Sequence, residues 1–192
     1  MKTIKELKDV LREKIPLAND VLIVPHNSPD FDALGSSVGL VNICKKLGKN
    51  SYILINDRHE TMSSSVNEMI SEIKEQYDVI DVKDYLSISD KIDLMITTDV
   101  NKDYMIAVKD YLNNFKTKIL IDHHPEDEYT IKTRYKYIDS KISSVSEIIT
   151  KLLCQYGISY DKRCANYLYA GISLDTNNFK KNISQDTMQV AG

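Results

Sequence analysis

The stretch VPHNSPDFDALGSS, residues 24–37, follows the apolar run VLIV (21–24), and its reading decides the fold. Four apolar residues closing on Pro25 suit a strand buried on both faces of a parallel sheet. GSSVGLVNICKKLGK (35–49) returns to helical spacing and closes at Gly48. Strand, tight loop and helix in that order make the first half of a βαβ unit. The loop carries His26, Asp30 and Asp32, an imidazole and two carboxylates crowded at the mouth of the strand.

The same alternation runs along the rest of the chain. TIKELKDVLREKI is apolar at Ile4, Leu7, Val10 and Leu11, which predicts an amphipathic helix capped at Thr3 and stopped by Pro16. SYILIN (51–56), DLMITTDV (93–100) and KILIDHH (118–124) read as further strands. VNEMISEIKEQY (66–77), KDYMIAVKDYLNNF (102–115) and SSVSEIITKLLCQYG (143–157) read as helices, the last closing at Gly157. RCANYLYAGISLDTNNF continues as helix into a polar break, and SQDTMQVAG begins another helix. The expectation is one α/β domain over residues 1–192, a mostly parallel β-sheet of about five strands flanked by helices.

Composition narrows the class. Hydrophobic residues make up 42% and charged residues 28%, which suits a packed core. The formal net charge of −3 disfavours a basic groove for long nucleic acid, because neutralising phosphates takes Lys and Arg. Any phosphate chemistry here needs metal ions or local clusters to supply positive field. Cys44, Cys154 and Cys164 form no C-x-x-C pair and fit no simple disulfide framework, so the reading is reduced thiols in a cytoplasmic protein. No apolar run approaches membrane-spanning length, and no membrane partner is expected.

Ligands of open α/β sheets sit beyond the carboxyl ends of the strands. Acidic and imidazole groups gather after apolar elements: His26, Asp30 and Asp32 after VLIV, Asp99 after LMITT, Asp122, His123 and His124 after KILI, and Asp175 after YLYAGISL. Each has a plainer reading. Asp30 and Asp32 suit a turn and a helix cap, Asp99 and Asp175 suit helix ends, and His26 suits a loop. His59, in NDRHE, reads as surface. Together the His-plus-carboxylate set suits Mn²⁺, Mg²⁺ or Fe²⁺, and the absence of cysteine from it argues against structural zinc. Gly35, Ser36 and Ser37 open the helix that follows the loop, where N-terminal amides favour an anionic substrate and Gly35 lets backbone approach it.

The ordered set HNSPDFDALGS, TTDVN, IDHH and GISLDTNNF resembles the four motifs of the DHH phosphoesterase family, from about Val21 to Thr187. That family includes RecJ-type exonucleases, oligoribonucleases acting on very short RNA, cyclic-di-AMP phosphodiesterases and family II inorganic pyrophosphatases. The resemblance implies two divalent ions, Mn²⁺ by preference. One would be held by His26, Asp30 and Asp99. The other would be held by Asp32, Asp99, His123 and Asp175, with Asp99 bridging. Asp122 would orient an imidazole, and His124 would meet the substrate phosphate or the leaving oxygen.

Pro125 after the two histidines resembles the oligoribonuclease branch more than the cyclic-di-AMP branch, which tends to carry arginine there. The expected partner is therefore a short linear oligonucleotide or dinucleotide. Cyclic-di-AMP hydrolysis, pyrophosphate hydrolysis and an inactive metal- or nucleotide-binding module are the alternatives. Oligomeric state stays open, a homodimer included. Two departures stand out. Val100 follows Asp99 where a small polar residue is common. Nothing after Asp175 resembles the glycine-rich DHHA1 substrate domain, so the chain reads as the front part of a longer protein or a naturally short relative.

Overall fold

The structure, a computed structural model, describes residues 1–56 and 62–192. His59 lies outside the described residues. Six strands form one sheet: β1 (Asp20–Val24), β2 (Ser51–Leu54), β3 (Val79–Ile80), β4 (Ile92–Thr98), β5 (Thr117–Asp122) and β6 (Tyr135–Ile138). Their spatial order is β3-β2-β1-β4-β5-β6, and every pairing is parallel. The chain builds outward from β1 to one edge, crosses back, and builds outward from β4 to the other. The strand order therefore reverses between β1 and β4, which opens a crevice at their carboxyl ends.

Among the described residues seven α-helices accompany the sheet: α1 (Ile4–Lys14), α2 (Phe31–Lys46), α3 (Ser64–Lys74), α4 (Val82–Ile88), α5 (Val145–Tyr156), α6 (Lys162–Asp175) and α7 (Gln185–Ala191). Side-chain alternation along the strands divides the core in two. Val21, Ile23, Leu94, Ile96, Ile119 and Ile121 pack with α1, α2, α3, α5 and α6. Leu22, Val24, Met95 and Leu120 pack on the other face with Tyr85, Ile106, Val108 and Phe115. A strand with both faces covered must be apolar throughout, which is why VLIV shows no polar alternation.

Three differences from the sequence expectation have physical causes. Segment 102–115 is not one helix but two 3₁₀ turns, Asp103–Met105 and Lys109–Asn114. Its backbone is engaged elsewhere: Met105 O accepts the Asn27 amide at 2.7 Å, and Lys102 pairs with Thr130 in an isolated β-bridge. The sheet has six strands because β3 and β6 lie at its edges, too short or too polar to announce themselves. Helix α2 begins at Phe31, a full turn before Gly35, because Asp30 caps it by accepting the Asp32 and Ala33 amides at 2.9 and 3.1 Å.

The N-terminus of α5 is fixed by buried Glu147, which accepts from Ser143 Oγ (2.6 Å) and Thr187 Oγ1 (2.8 Å) and pairs with Lys151 (2.7 Å). The Thr187 bond also docks α7 onto α5. No helix among the described residues is long and apolar enough to cross a membrane.

Candidate metal centre

The acidic and imidazole side chains converge in the crevice where the strand order reverses. His26 follows β1. Asp30 and Asp32 sit at the start of α2. Asp99 follows β4, Asp122 ends β5, His123 and His124 follow it, and Asp175 ends α6. Three groups of three have ligand atoms within 4.8 Å of one another: His26–Asp30–Asp99, Asp32–His123–Asp175 and Asp99–His123–His124. Seven of the eight positions singled out from the sequence as metal-holding or catalytic fall in these groups, and Asp122 adjoins them, 2.9 Å from His124 Nδ1.

Asp99 is the hub. Its Oδ2 lies 3.7 Å from His26 Nε2, and its Oδ1 lies 3.4 Å from His123 Nε2 and 3.5 Å from His124 Nδ1. It is buried, and Oδ1 has no hydrogen-bond donor among the described residues. Its backbone takes φ = 58°, a left-handed conformation that Asp adopts more readily than most residues but at a cost. Burial, then the neighbouring charges of Asp32, Asp30 and Asp122, hold its carboxyl well above the usual carboxylate range. A buried oxygen without a donor among the described residues, in a strained residue pressed by other carboxylates, is one that a cation could satisfy.

Asp32 is fully buried, and its two oxygens accept the Val145 and Ser146 amides at 2.7 Å each. The N-terminus of α5 thereby partly compensates its charge, while burial still raises its carboxyl. Asp175 Oδ2 lies 3.2 Å from His123 Nε2, and burial followed by the Asp32 charge pushes its carboxyl up to about 7. Burial lowers the basicity of His26.

Asp122 is buried and saturated. Its Oδ1 accepts the amides of His123 (2.8 Å) and His124 (3.2 Å) and faces His124 Nδ1 at 2.9 Å. Its Oδ2 accepts Asn101 Nδ2 at 2.6 Å. This carboxylate orients His124, and the hydrogen bond between them raises the imidazole's basicity. The His124 side chain is half exposed on the crevice.

Gly35, Ser36 and Ser37 are not available to a substrate. They lie in the second turn of α2, where amides are bonded within the helix, and the capping carboxylate of Asp30 takes the amides of Asp32 and Ala33. Ser36 Oγ donates to Asp32 O (2.6 Å) and accepts from Thr98 Oγ1 (2.7 Å), and Ser37 Oγ donates to Ala33 O (2.6 Å). The backbone that Gly35 lets approach is that of α6: a Cβ there would collide with the Tyr167 carbonyl. Asn101, which the sequence reading passed over, is the residue it missed. Besides Asp122 it donates to His124 O at 3.0 Å. Its signal was its place two residues after Asp99, in TTDVN.

The donor set is oxygen and imidazole nitrogen only, which fits hard or borderline divalent ions. The free thiols of Cys44, Cys154 and Cys164 lie outside all three groups. The model of the N-terminal domain of the DHH family matches residues 20–172. This chain belongs to the DHH family.

The DHH tripeptide is Asp122-His123-His124, the turn described above. Among curated relatives, the cyclic-di-AMP phosphodiesterase GdpP of Bacillus subtilis is 26% identical over 193 residues, covering 96% of this chain and 29% of its own. The probable bifunctional oligoribonuclease and PAP phosphatase NrnA of Streptococcus mutans is 34% identical over 167 residues, covering 86% of this chain and 48% of its own. The chain thus spans under half the length of either relative. The crystal structure of an exopolyphosphatase-related protein from Bacteroides fragilis superposes with a TM-score of 0.72 at 26% identity, covering 97% of this chain and 55% of that one.

Proposed function

We propose that this DHH domain is the catalytic part of a metal-dependent phosphoesterase that hydrolyses phosphodiester bonds of short linear oligonucleotides or dinucleotides. The observation that carries the reading is Asp99, shared between a His26–Asp30 group and a His123–His124 group with one oxygen buried and without a donor. His26, Asp30 and Asp99 would hold one ion, and Asp32, Asp99, His123 and Asp175 a second. Two bound divalent ions, Mn²⁺ by preference, supply an activated water and charge stabilisation at the phosphate.

The chain's own groups do the rest. Asp122 faces His124 Nδ1 and raises the imidazole's basicity, and the protonated imidazole donates Nδ1–H to Asp122 and presents Nε2–H to the crevice. A water oxygen attacks phosphorus and gives its proton to solvent, the bond to the leaving oxygen breaks, and protonated His124 delivers from Nε2 the proton that oxygen needs, to be reprotonated from solvent afterwards. The backbone hydrogen bonds of Asp122 fix that imidazole, so little reorganisation is required as charge develops.

The linear preference rests on Pro125 after His124 and on the 34% identity to NrnA. Similarity to GdpP along 96% of the chain supports a second reading, cyclic dinucleotide hydrolysis. The relatives' additional length agrees with a further substrate domain, and much of a substrate's binding energy comes from contacts away from the reacting bond. We therefore expect turnover by residues 1–192 to be slow.

The test is product analysis with linear diadenylate, cyclic-di-AMP and pyrophosphate in Mn²⁺, with bound metal measured in parallel. Cleavage of diadenylate, lost in EDTA and in His124→Ala with metals retained, is expected. Two bound ions with no hydrolysis of any of the three would turn the assignment to a binding module.

A further inference from the structure

The cavity that reaches the metal-holding side chains also reaches away from them. It measures about 550 Å³, within the range of small-molecule sites. Its lining joins His26, Asp30, Asp99 and His124 to Val100, Tyr104, Met105 and Pro125. Tyr104 is 54% exposed and Met105 38%, although the rest of the described chain buries most of its large apolar groups.

This wall is held in place. Met105 O accepts the Asn27 amide, one residue from His26. Lys102 Nζ reaches Pro125 O at 2.9 Å and Asp127 at 2.8 Å, tying the turn at Asp103–Met105 to the loop after β5. Tyr129 packs edge to face on Tyr104, with ring centroids 5.5 Å apart and planes at 86°. A half-exposed ring braced in this way loses little freedom when a ligand stacks on it.

Charge selects the ligand. Asp127 compensates Lys102, and Glu126 pairs with Lys136, so the charges at this wall are already matched to one another. An anion alone gains nothing from this wall. A neutral planar ring does.

We propose that Tyr104, braced by Tyr129 and flanked by Met105, is a stacking platform for the base of a nucleotide whose phosphate lies at the carboxylate–histidine centre. The proposal rests on the phosphoesterase reading of that centre and adds the residues that hold the base, with little discrimination between bases, since every base offers a π-face.

The test is calorimetry on the full chain in saturating Mn²⁺, with adenosine 5′-monophosphate and inorganic phosphate as probes. The wild type binds the nucleotide more tightly than phosphate. Tyr104→Ala weakens nucleotide binding roughly 5- to 150-fold, the worth of one base stack, and leaves phosphate binding unchanged. Tyr104→Phe binds the nucleotide like the wild type, because stacking needs the ring and not the hydroxyl. A thermal melt confirms folding of each variant. Phosphate binding with no advantage for the nucleotide, or a Tyr104→Ala variant that loses both probes equally or neither, overturns the platform alone. Failure of phosphate to bind the Mn²⁺-loaded chain overturns the phosphoesterase reading and the platform with it.

Discussion

Asn101 Nδ2 stands 2.6 Å from Asp122 Oδ2, and both residues are buried. It is the only donor to that oxygen among the described residues, while Oδ1 carries the turn that aims His124. Asn101→Ala leaves a buried carboxylate oxygen without a donor, at a cost of about 1–3 kcal/mol. The same carboxylate accepts the amide of His123, assigned above to one ion, and groups that orient metal-holding side chains typically change affinity about 10–100-fold when removed. Mn²⁺ titration of Asn101→Ala should show a loss of that size, with a lower melting temperature. Unchanged affinity would mean that Asp122 holds its position without Asn101.

Asp99 should behave oppositely in stability and in binding. Asp99→Asn keeps a side chain that tolerates φ = 58° and removes a buried charge pressed by Asp32, Asp30 and Asp122. In EDTA the variant should melt higher than the wild type. About 1 kcal/mol corresponds to roughly 2–4 °C at this chain length. In Mn²⁺ the order should reverse, because the group shared by both ligand sets is gone. A variant less stable in both conditions would remove Asp99 from the shared position.

Much of this was legible in the sequence, and the boundary of legibility has a physical meaning. VLIV, LMITT and KILI announced themselves because strands covered on both faces carry unbroken apolar runs. The candidate site was legible because its carboxylates and imidazoles follow those runs. Two-residue β3 at an edge has too little burial to leave a pattern. Segment 102–115 has helical spacing, yet tertiary bonds through Asn27 and Thr130 outweigh local preference. Gly35, Ser36 and Ser37 misled because the start of α2 is set by the Asp30 carboxylate, and a capping carboxylate looks the same in sequence as a ligand. Asp30 does the one and is placed to do the other.

Gly35 is a packing residue, and its replacement should reach the site through the fold. A Cβ there would collide with the Tyr167 carbonyl and lie 2.8 Å from its carbon, so α2 and α6 must separate. Overpacking of this kind costs about 1–3 kcal/mol. Because α2 carries Asp32 and α6 carries Asp175, Gly35→Ala should also weaken Mn²⁺ uptake. Gly48→Ala is the control: its φ of 75° makes alanine unfavourable, but open space surrounds the added methyl and the site lies elsewhere. Equal effects of the two variants on metal affinity would separate the α2–α6 contact from the centre.

The crowded carboxylates fix how stability should respond to pH. Asp175 titrates near 7 and Asp99 well above the ordinary range, both raised first by burial. A carboxyl raised in the folded chain contributes stability that is complete below its unfolded value, about 3.9, and is lost as pH rises through the folded value. The chain in EDTA should therefore lose stability between about pH 5 and 8. Glu147 and Asp93 are held below the ordinary range, so their contribution fades only in acid, outside that window. Divalent ions bind the deprotonated forms and release protons as they do so. Melting temperatures in Mn²⁺ should consequently hold or rise across the same window. The gap between the Mn²⁺ and EDTA curves should widen toward pH 8 and narrow toward pH 5. Parallel curves would mean that ions bind away from Asp99 and Asp175, and a wild-type pH response in Asp175→Asn would remove that residue from the set.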